Sequence, residues 1–213
     1  MQKSAGPSSL ACLEIHFPGL DQLSEVYADL ERQIAEFKRR AGIECLRKCT
    51  LCCTTAKFVE ASILEMLPLS LHFWEEGRGE ELLEKLEGIH PEAPCILLNP
   101  DPPGELSGGC SHYRFRPLVC RLFGFSATVD KNSNPSVVIC KPLNRMDRGI
   151  ADRINERIRQ GLPVPLMADF SRRVALLHPH FGQEKYPVNF ALREALEIAG
   201  RRIHFLKSTR RET

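Results

Sequence analysis

The chain has 213 residues, of which 43% are hydrophobic and 26% are charged. This composition is ordinary for a soluble globular protein with one domain or two small ones. The formal charge of +2 does not by itself indicate a polyanionic partner, and no apolar run approaches the roughly 18 residues that a transmembrane helix requires. Residues 1–9 are polar and lack the apolar segment of a signal peptide, so we expect a cytoplasmic protein with no membrane partner.

The N-terminal part of the chain predicts a flexible leader and then a long helix. Residues 1–19 contain several prolines and glycines, which favour an irregular backbone. Apolar residues then recur at helical spacing between Asp21, the expected N-cap, and Gly42, the expected stop. The apolar face of this helix consists of Leu23, Val26, Tyr27, Leu30, Ile34 and Phe37.

Further helices are predicted after a cysteine-rich stretch. A helix over 58–67 is expected to stop at Pro68 and to resume over 69–76, because proline interrupts the hydrogen bonds of a helix interior. Residues 80–87 predict another short helix. Residues 89–109 predict a long loop rich in proline and glycine. Such a loop is uncommon in a compact domain unless a metal or another group holds it in place.

The rest of the chain predicts a hairpin and a helical layer. Strands at 122–129 and 136–140 flank a turn made of Asp, Asn, Ser and Pro. Helices are then expected over 147–160, 166–177 and 190–206, with Asn189 as the cap of the last.

These elements predict a mainly helical α+β protein with a cysteine-rich metal-binding core, a small β-hairpin and a C-terminal helical layer. We expect a flexible leader at 1–19 and a cysteine-cluster metal-binding domain at 20–145. A helical extension at 146–213 is expected to pack on that domain.

The cysteines carry the strongest chemical signal in the sequence. Eight of the nine lie between residues 45 and 140, and Cys12 lies apart from them. Cytoplasmic thiols stay reduced, which favours metal binding over a disulfide framework. We therefore interpret eight of them as ligands of one or two thiolate metal sites: Cys45, Cys49, Cys52, Cys53, Cys95, Cys110, Cys120 and Cys140.

Two features of this pattern leave alternatives open. Residues 45, 49, 52 and 53 would share one face of a helix, so a buried packing stripe is the competing interpretation. Adjacent Cys52 and Cys53 cannot easily aim both sulfurs at one tetrahedral ion, which favours an iron–sulfur cluster over zinc without deciding between them. Basic residues near the cysteines could offset the thiolate charge: Arg47, Lys48, Arg114, Arg116 and Arg121.

Residues 110–121 read Cys-Ser-His-Tyr-Arg-Phe-Arg-Pro-Leu-Val-Cys-Arg. Together with the Cys52–Cys53 pair, the lone Cys95 and a trailing Cys140-Lys-Pro, this pattern resembles the YkgJ-type CxxCxxCC family of zinc- or iron-chelating proteins. The resemblance covers roughly residues 44–142. It departs from the family pattern at the start, where three residues separate the first two cysteines instead of two. It implies chelation of an iron–sulfur cluster or zinc and leaves the biological role unknown.

Three roles compete for such a centre. A binding protein would hold the metal in a closed shell, whereas an iron–sulfur electron-transfer protein or cluster-dependent enzyme would undergo redox change or react. The enzyme would be an oxidoreductase or of a protein-methylation type, although no glycine-rich nucleotide loop supports methyl transfer. A nucleic-acid binder is disfavoured by the near-neutral charge. His112, His178 and His180 are further candidate ligands, but surface or packing roles are favoured because the cysteines suffice.

Overall fold

The computed structural model describes residues 17–46, 49–50, 59–99 and 109–209. Its helices are α1 (Leu20–Ala41), α2 (Ile63–Glu75), α3 (Gly79–Leu86), α4 (Leu118–Leu122), α5 (Lys141–Met146), α6 (Ile150–Arg159), α7 (Met167–Ala175) and α8 (Val188–Thr209), with a 3₁₀ turn at Tyr113–Phe115. Strands β1 (Glu60–Ala61) and β4 (Tyr186–Pro187) pair antiparallel, and so do β2 (Ser126–Val129) and β3 (Pro135–Val138). The fold is thus mainly helical α+β, as predicted. None of the helices in these ranges is long and apolar enough to span a bilayer.

Helix α1 follows its apolar spacing, and the predicted face is buried except at Tyr27, which is half-buried. It ends as predicted at Gly42, which has a φ of 72° and donates its backbone N–H to the carbonyl of Lys38. The prediction that Asp21 caps the start is wrong, because Gly19 occupies the N-cap and Asp21 lies in the first turn. There its carboxylate favours the helix through the macrodipole instead.

Helix α2 departs from the prediction at its start and at Pro68. Residues 60 and 61 form β1, so the helix begins at Ile63, after the N-cap Ser62. Ser62 and Glu65 form a capping box, which fixes this start. The helix continues through Pro68, because the residues around it are almost all buried and that burial offsets the hydrogen bond that proline removes.

The main core lies between α2 and α8, which pack along each other, with α3 against both. Ala191, Ala195 and Ala199 are fully buried on α8, and their small side chains let the two helices approach closely. Trp74 closes the far end of this contact, donating its indole N–H to the carbonyl of Leu196 at 2.9 Å. Helices α1 and α7 contribute to the same core.

A smaller core joins the end of α1 to the hairpin and to α6. Its buried members are Phe37, Ile43, Val137, Ile154, Ile158 and Leu162. The side-chain oxygen of Asn155 accepts the backbone N–H of Val137 at 2.8 Å and so ties α6 to β3. Ile43 lies in this core, so the segment that leads from α1 to Cys45 packs against it.

The predicted hairpin is present but starts at residue 126, because residues 118–122 form α4. Its turn is held by the carboxylate of Asp130, which accepts the backbone N–H groups of Asn132 and Asn134. The predicted helices at 147–160 and 166–177 are present in shorter form as α6 and α7. The prediction that Asn189 caps the last helix is wrong, because α8 begins at Val188 and the Asn189 side chain binds a loop.

Candidate metal centre

Six of the eight predicted ligands line one cavity of about 80 Å³. They come from chain segments almost a hundred residues apart and are Cys45, Cys49, Cys95, Cys110, Cys120 and Cys140. Apolar side chains such as Val59, Leu97 and Val188 complete the wall. The other two predicted ligands, Cys52 and Cys53, lie outside the described residues, as does Cys12.

Backbone pairing brings Cys95 and Cys110 to the same side of the cavity. Residues 98 and 110 form an isolated antiparallel bridge, and the N–H of Ser111 donates to the carbonyl of Leu97 at 2.9 Å. The turn at Cys95 is closed by the N–H of Leu98, which donates to the Cys95 carbonyl at 2.9 Å. Backbone hydrogen bonds therefore hold the predicted loop near Cys95 and hold the residues that directly follow the loop.

A buried amide holds the Cys95 turn against the helical layer. Asn189, only 3% exposed, accepts the backbone N–H of Ile96 at 2.9 Å and donates to the carbonyl of Pro94 at 2.9 Å. Both groups of this side chain thus bind the loop rather than its own helix. Helix α8 fixes the position of Cys95 through these two bonds.

Two glycines shape the cavity wall: Gly109 permits a close approach, and Gly124 has a left-handed backbone conformation. A Cβ added at Gly109 would lie 2.5 Å from the methyl carbon of Thr50 and from the carbonyl oxygen of Asn99. The segment that carries Cys49 therefore packs directly on the segment that carries Cys110. At Gly124, which has a φ of 86°, an added Cβ would lie 3.9 Å from the sulfur of Cys140.

Cys120 lies in α4, whose start is fixed by a proline and a buried carboxylate. Pro117 has a φ of −66° and restricts Arg116 to its observed extended conformation. The backbone N–H of Leu118 donates to Oε1 of Glu65 at 2.8 Å. Glu65 is 1% exposed, so this bond connects α4 to the core of the molecule.

Burial raises the pKa of three of the cavity thiols above the ordinary value of a cysteine. Burial raises the pKa of Cys95 to about 11, with a partly opposing backbone hydrogen bond from Leu97. Burial also raises the pKa of Cys110 and that of Cys45, the latter with a smaller contribution from the neighbouring Cys49 and Cys140. A metal must therefore displace protons from these sulfurs when it binds.

The donor set fits a soft metal by its chemistry and its enclosure, since cysteine sulfurs are the ligands of zinc and of iron–sulfur clusters. Among residues 17–46, 49–50, 59–99 and 109–209, however, no three His, Cys, Asp or Glu side chains already form a ligand group.

Two of the alternative histidine ligands have other contacts. His112 packs against Phe73, with 4.7 Å between ring centroids. His178 uses Nδ1 to accept the backbone N–H groups of His180 and Phe181. His178 therefore closes a turn through its Nδ1 atom.

A second and larger cleft of about 620 Å³ lies between α1, α2 and the segment 114–121. Arg114, Phe115 and Arg121 face this cleft, whereas Tyr113, Arg116 and Cys120 line the cysteine cavity. The segment 113–121 therefore lines both the cysteine cavity and the larger cleft.

Residues 44–141 match the model of a known family. This range, slightly less than half of the chain, is similar to the CxxCxxCC domain. The family is described as "Putative zinc- or iron-chelating domain", and the matched range contains all eight cysteines of the predicted set. No curated protein and no solved structure is significantly similar to the chain.

The sequence interpretation missed Glu65 and Asn189, which hold the cysteine segments of the CxxCxxCC domain in place. The Ser62-x-x-Glu65 spacing was a detectable signal for Glu65, because it is a capping box. No local signal pointed to Asn189, since its partners lie 93 and 95 residues away.

Proposed function

We propose that this protein binds a soft metal centre through the cysteines of its CxxCxxCC domain. The ligands would be drawn from the six cavity cysteines together with Cys52 and Cys53. The observation that carries the proposal is that cysteines from widely separated segments line a single cavity. The alternative, a packing stripe on one helix, does not explain why sulfurs from four different parts of the chain line the same cavity.

We further propose that the centre is an iron–sulfur cluster rather than a single zinc ion. Adjacent Cys52 and Cys53 cannot easily aim both sulfurs at one tetrahedral zinc ion, which favours a cluster with more than one metal atom. The cavity of about 80 Å³ is several times larger than the roughly 10–15 Å³ that a single water-sized occupant needs. When bound, such a cluster supplies one-electron redox chemistry.

The chain's own contribution is enclosure, orientation and charge. Apolar side chains exclude water from the sulfurs, and Asn189 and Glu65 hold the ligand segments. Deprotonation of the buried thiols accompanies binding, so metal uptake is expected to release protons and to weaken as the pH falls.

The test is purification under oxygen-free conditions, followed by analysis of iron, acid-labile sulfide and zinc per chain. We expect iron and sulfide in equal amounts and a brown protein. The double variant Cys95→Ser/Cys110→Ser should lose the metal. The matched control Cys12→Ser, which changes the cysteine outside the predicted set, should retain it.

Two outcomes would contradict these proposals at different levels. A colourless protein with stoichiometric zinc would refute the iron–sulfur assignment and keep metal binding. A wild-type protein that holds neither metal after reconstitution with iron and sulfide, or with zinc, would refute metal binding itself.

A further inference from the structure

The basic residues near the cysteines are separated by the structure. Arg116 lines the cysteine cavity, whereas Arg114 and Arg121 line the large cleft on the other side of the segment. Arg121 is committed there to Glu31, with 2.6 Å between its nitrogen and the carboxylate. Arg47 and Lys48 lie outside the described residues.

Three contacts fix the Arg116 guanidinium at the cavity wall. Its Nε donates to the carbonyl of Tyr113 at 2.9 Å, and Nη1 donates to the carbonyl of Cys120 at 3.3 Å. Its central carbon lies 3.4 Å from the centroid of the Tyr113 ring. The planar group is thus clamped between an aromatic face and two carbonyls, an arrangement that suits arginine better than lysine.

We propose that Arg116 is a positioning residue that compensates the negative charge of the ligand thiolates and thereby strengthens metal binding. This inference rests on the proposed function. Four thiolates around a divalent ion leave a net charge of about −2. A fixed cation in the same partly buried cavity offsets this charge more effectively than an exposed one, because the local dielectric constant is lower than that of water.

The positive charge of Arg116 also affects which ligands complete the coordination shell of the metal. Adding one thiolate to the coordination shell adds one negative charge, which a permanent cation nearby makes less unfavourable. Arg116 therefore favours sulfur-rich coordination over a shell completed by neutral ligands.

The test compares Arg116→Gln, Arg116→Lys and Arg114→Gln with the wild-type protein. Cobalt(II) is the probe, because its thiolate complexes absorb visible light, and affinity is measured anaerobically by competition with a chelator. Arg114 is the matched control, since it belongs to the same segment but lines the other cleft. Arg116→Met, which keeps a long side chain against Tyr113, replaces the Gln variant if circular dichroism shows that the latter is unfolded.

We expect Arg116→Gln to weaken cobalt binding about tenfold or more, equivalent to about 1.4 kcal/mol. Arg116→Lys should bind cobalt more tightly than Arg116→Gln because it keeps the charge, although it loses the planar group that stacks on Tyr113. Arg114→Gln should stay within about twofold of wild type.

Two results would overturn the inference. Unchanged affinity in a folded Gln or Met variant would show that the charge at residue 116 does not matter. A Lys variant as weak as the Gln variant would assign the effect to the carbonyl hydrogen bonds instead. Failure of the wild-type protein to bind cobalt, zinc or iron is a separate result, because it would refute the proposed function before any variant is compared.

Discussion

Glu65 offers the sharpest test of how the core supports the cysteine cavity. Its carboxylate is completely buried and accepts hydrogen bonds from four different residues of the chain. Oε1 accepts the backbone N–H of Leu118 at 2.8 Å and the hydroxyl of Tyr27 at 3.3 Å. Oε2 accepts the backbone N–H of Ser62 at 2.8 Å and forms an ion pair with Lys185. The substitution Glu65→Gln keeps the shape and removes the charge.

The expected cost follows from these partners. Either orientation of the new amide places its NH₂ group against a backbone N–H, that of Leu118 or that of Ser62, which cannot turn away. A lost hydrogen bond to a buried charged acceptor costs about 1.5–3 kcal/mol. Lys185 also loses its partner, but its side chain is 30% exposed, so this loss is smaller than the 3–5 kcal/mol of a fully buried pair. We expect a total loss of about 3 kcal/mol in the free energy of unfolding.

The assay is urea and thermal unfolding of the metal-free protein. For a chain of this size the expected loss lowers the melting temperature by about 6–12 °C. Glu84→Gln, an exposed change in α3, is the matched control and should stay within about 0.5 kcal/mol of wild type. A Glu65→Gln protein as stable as this control would refute the reasoning that the carboxylate joins α4 to the core.

Three further predictions concern the cavity and the main core. In the folded protein the pKa of Cys95 is about 11, above the ordinary value of 9.0. The contribution of the protonated Cys95 thiol to the free energy of unfolding is therefore fully present below pH 9 and is lost as the pH rises to about 11. In urea unfolding of the metal-free protein, wild type should therefore lose about 2–3 kcal/mol more stability over that interval than Cys95→Val does. Gly109→Ala should weaken cobalt binding measurably by pushing residue 50 away from residue 110, and unchanged affinity would contradict the close approach. Gly200→Ala should destabilise the protein by about 1–3 kcal/mol, because the new Cβ would overlap the Trp74 ring; an unchanged melting temperature would show that the ring moves freely.

The sequence predicted those elements that depend on local periodicity. Helix α1 and its glycine stop follow from the spacing of apolar residues and from a left-handed terminal residue, both of which are local properties. The hairpin likewise follows from its turn residues. Pro68 misled the prediction, because its local penalty is visible in the sequence whereas the surrounding burial that offsets it is not.

The candidate site was predictable in its residue types but not in its supports. Cysteine spacing indicated metal chemistry without any knowledge of the fold, and the described cysteines line one cavity. Asn189 was interpreted as a helix cap because asparagine favours that position, and its real partners are set by tertiary packing. The choice of Arg116 among five basic neighbours also required the structure, since residues 114, 116 and 121 belong to one short segment yet face two different cavities.

Residues beyond 141 help to position the candidate metal site. The matched CxxCxxCC range ends there, yet Asn189 holds the Cys95 turn, Val188 lines the cavity, and Lys185 neutralises Glu65 behind Cys120. Loops and short helices carry the described cavity cysteines, and such segments have few backbone partners of their own. Their positions must therefore be fixed by side chains from longer elements. A centre that binds by drawing loops together gains affinity when those loops are already held close to their final positions, because less conformational entropy is then lost on binding.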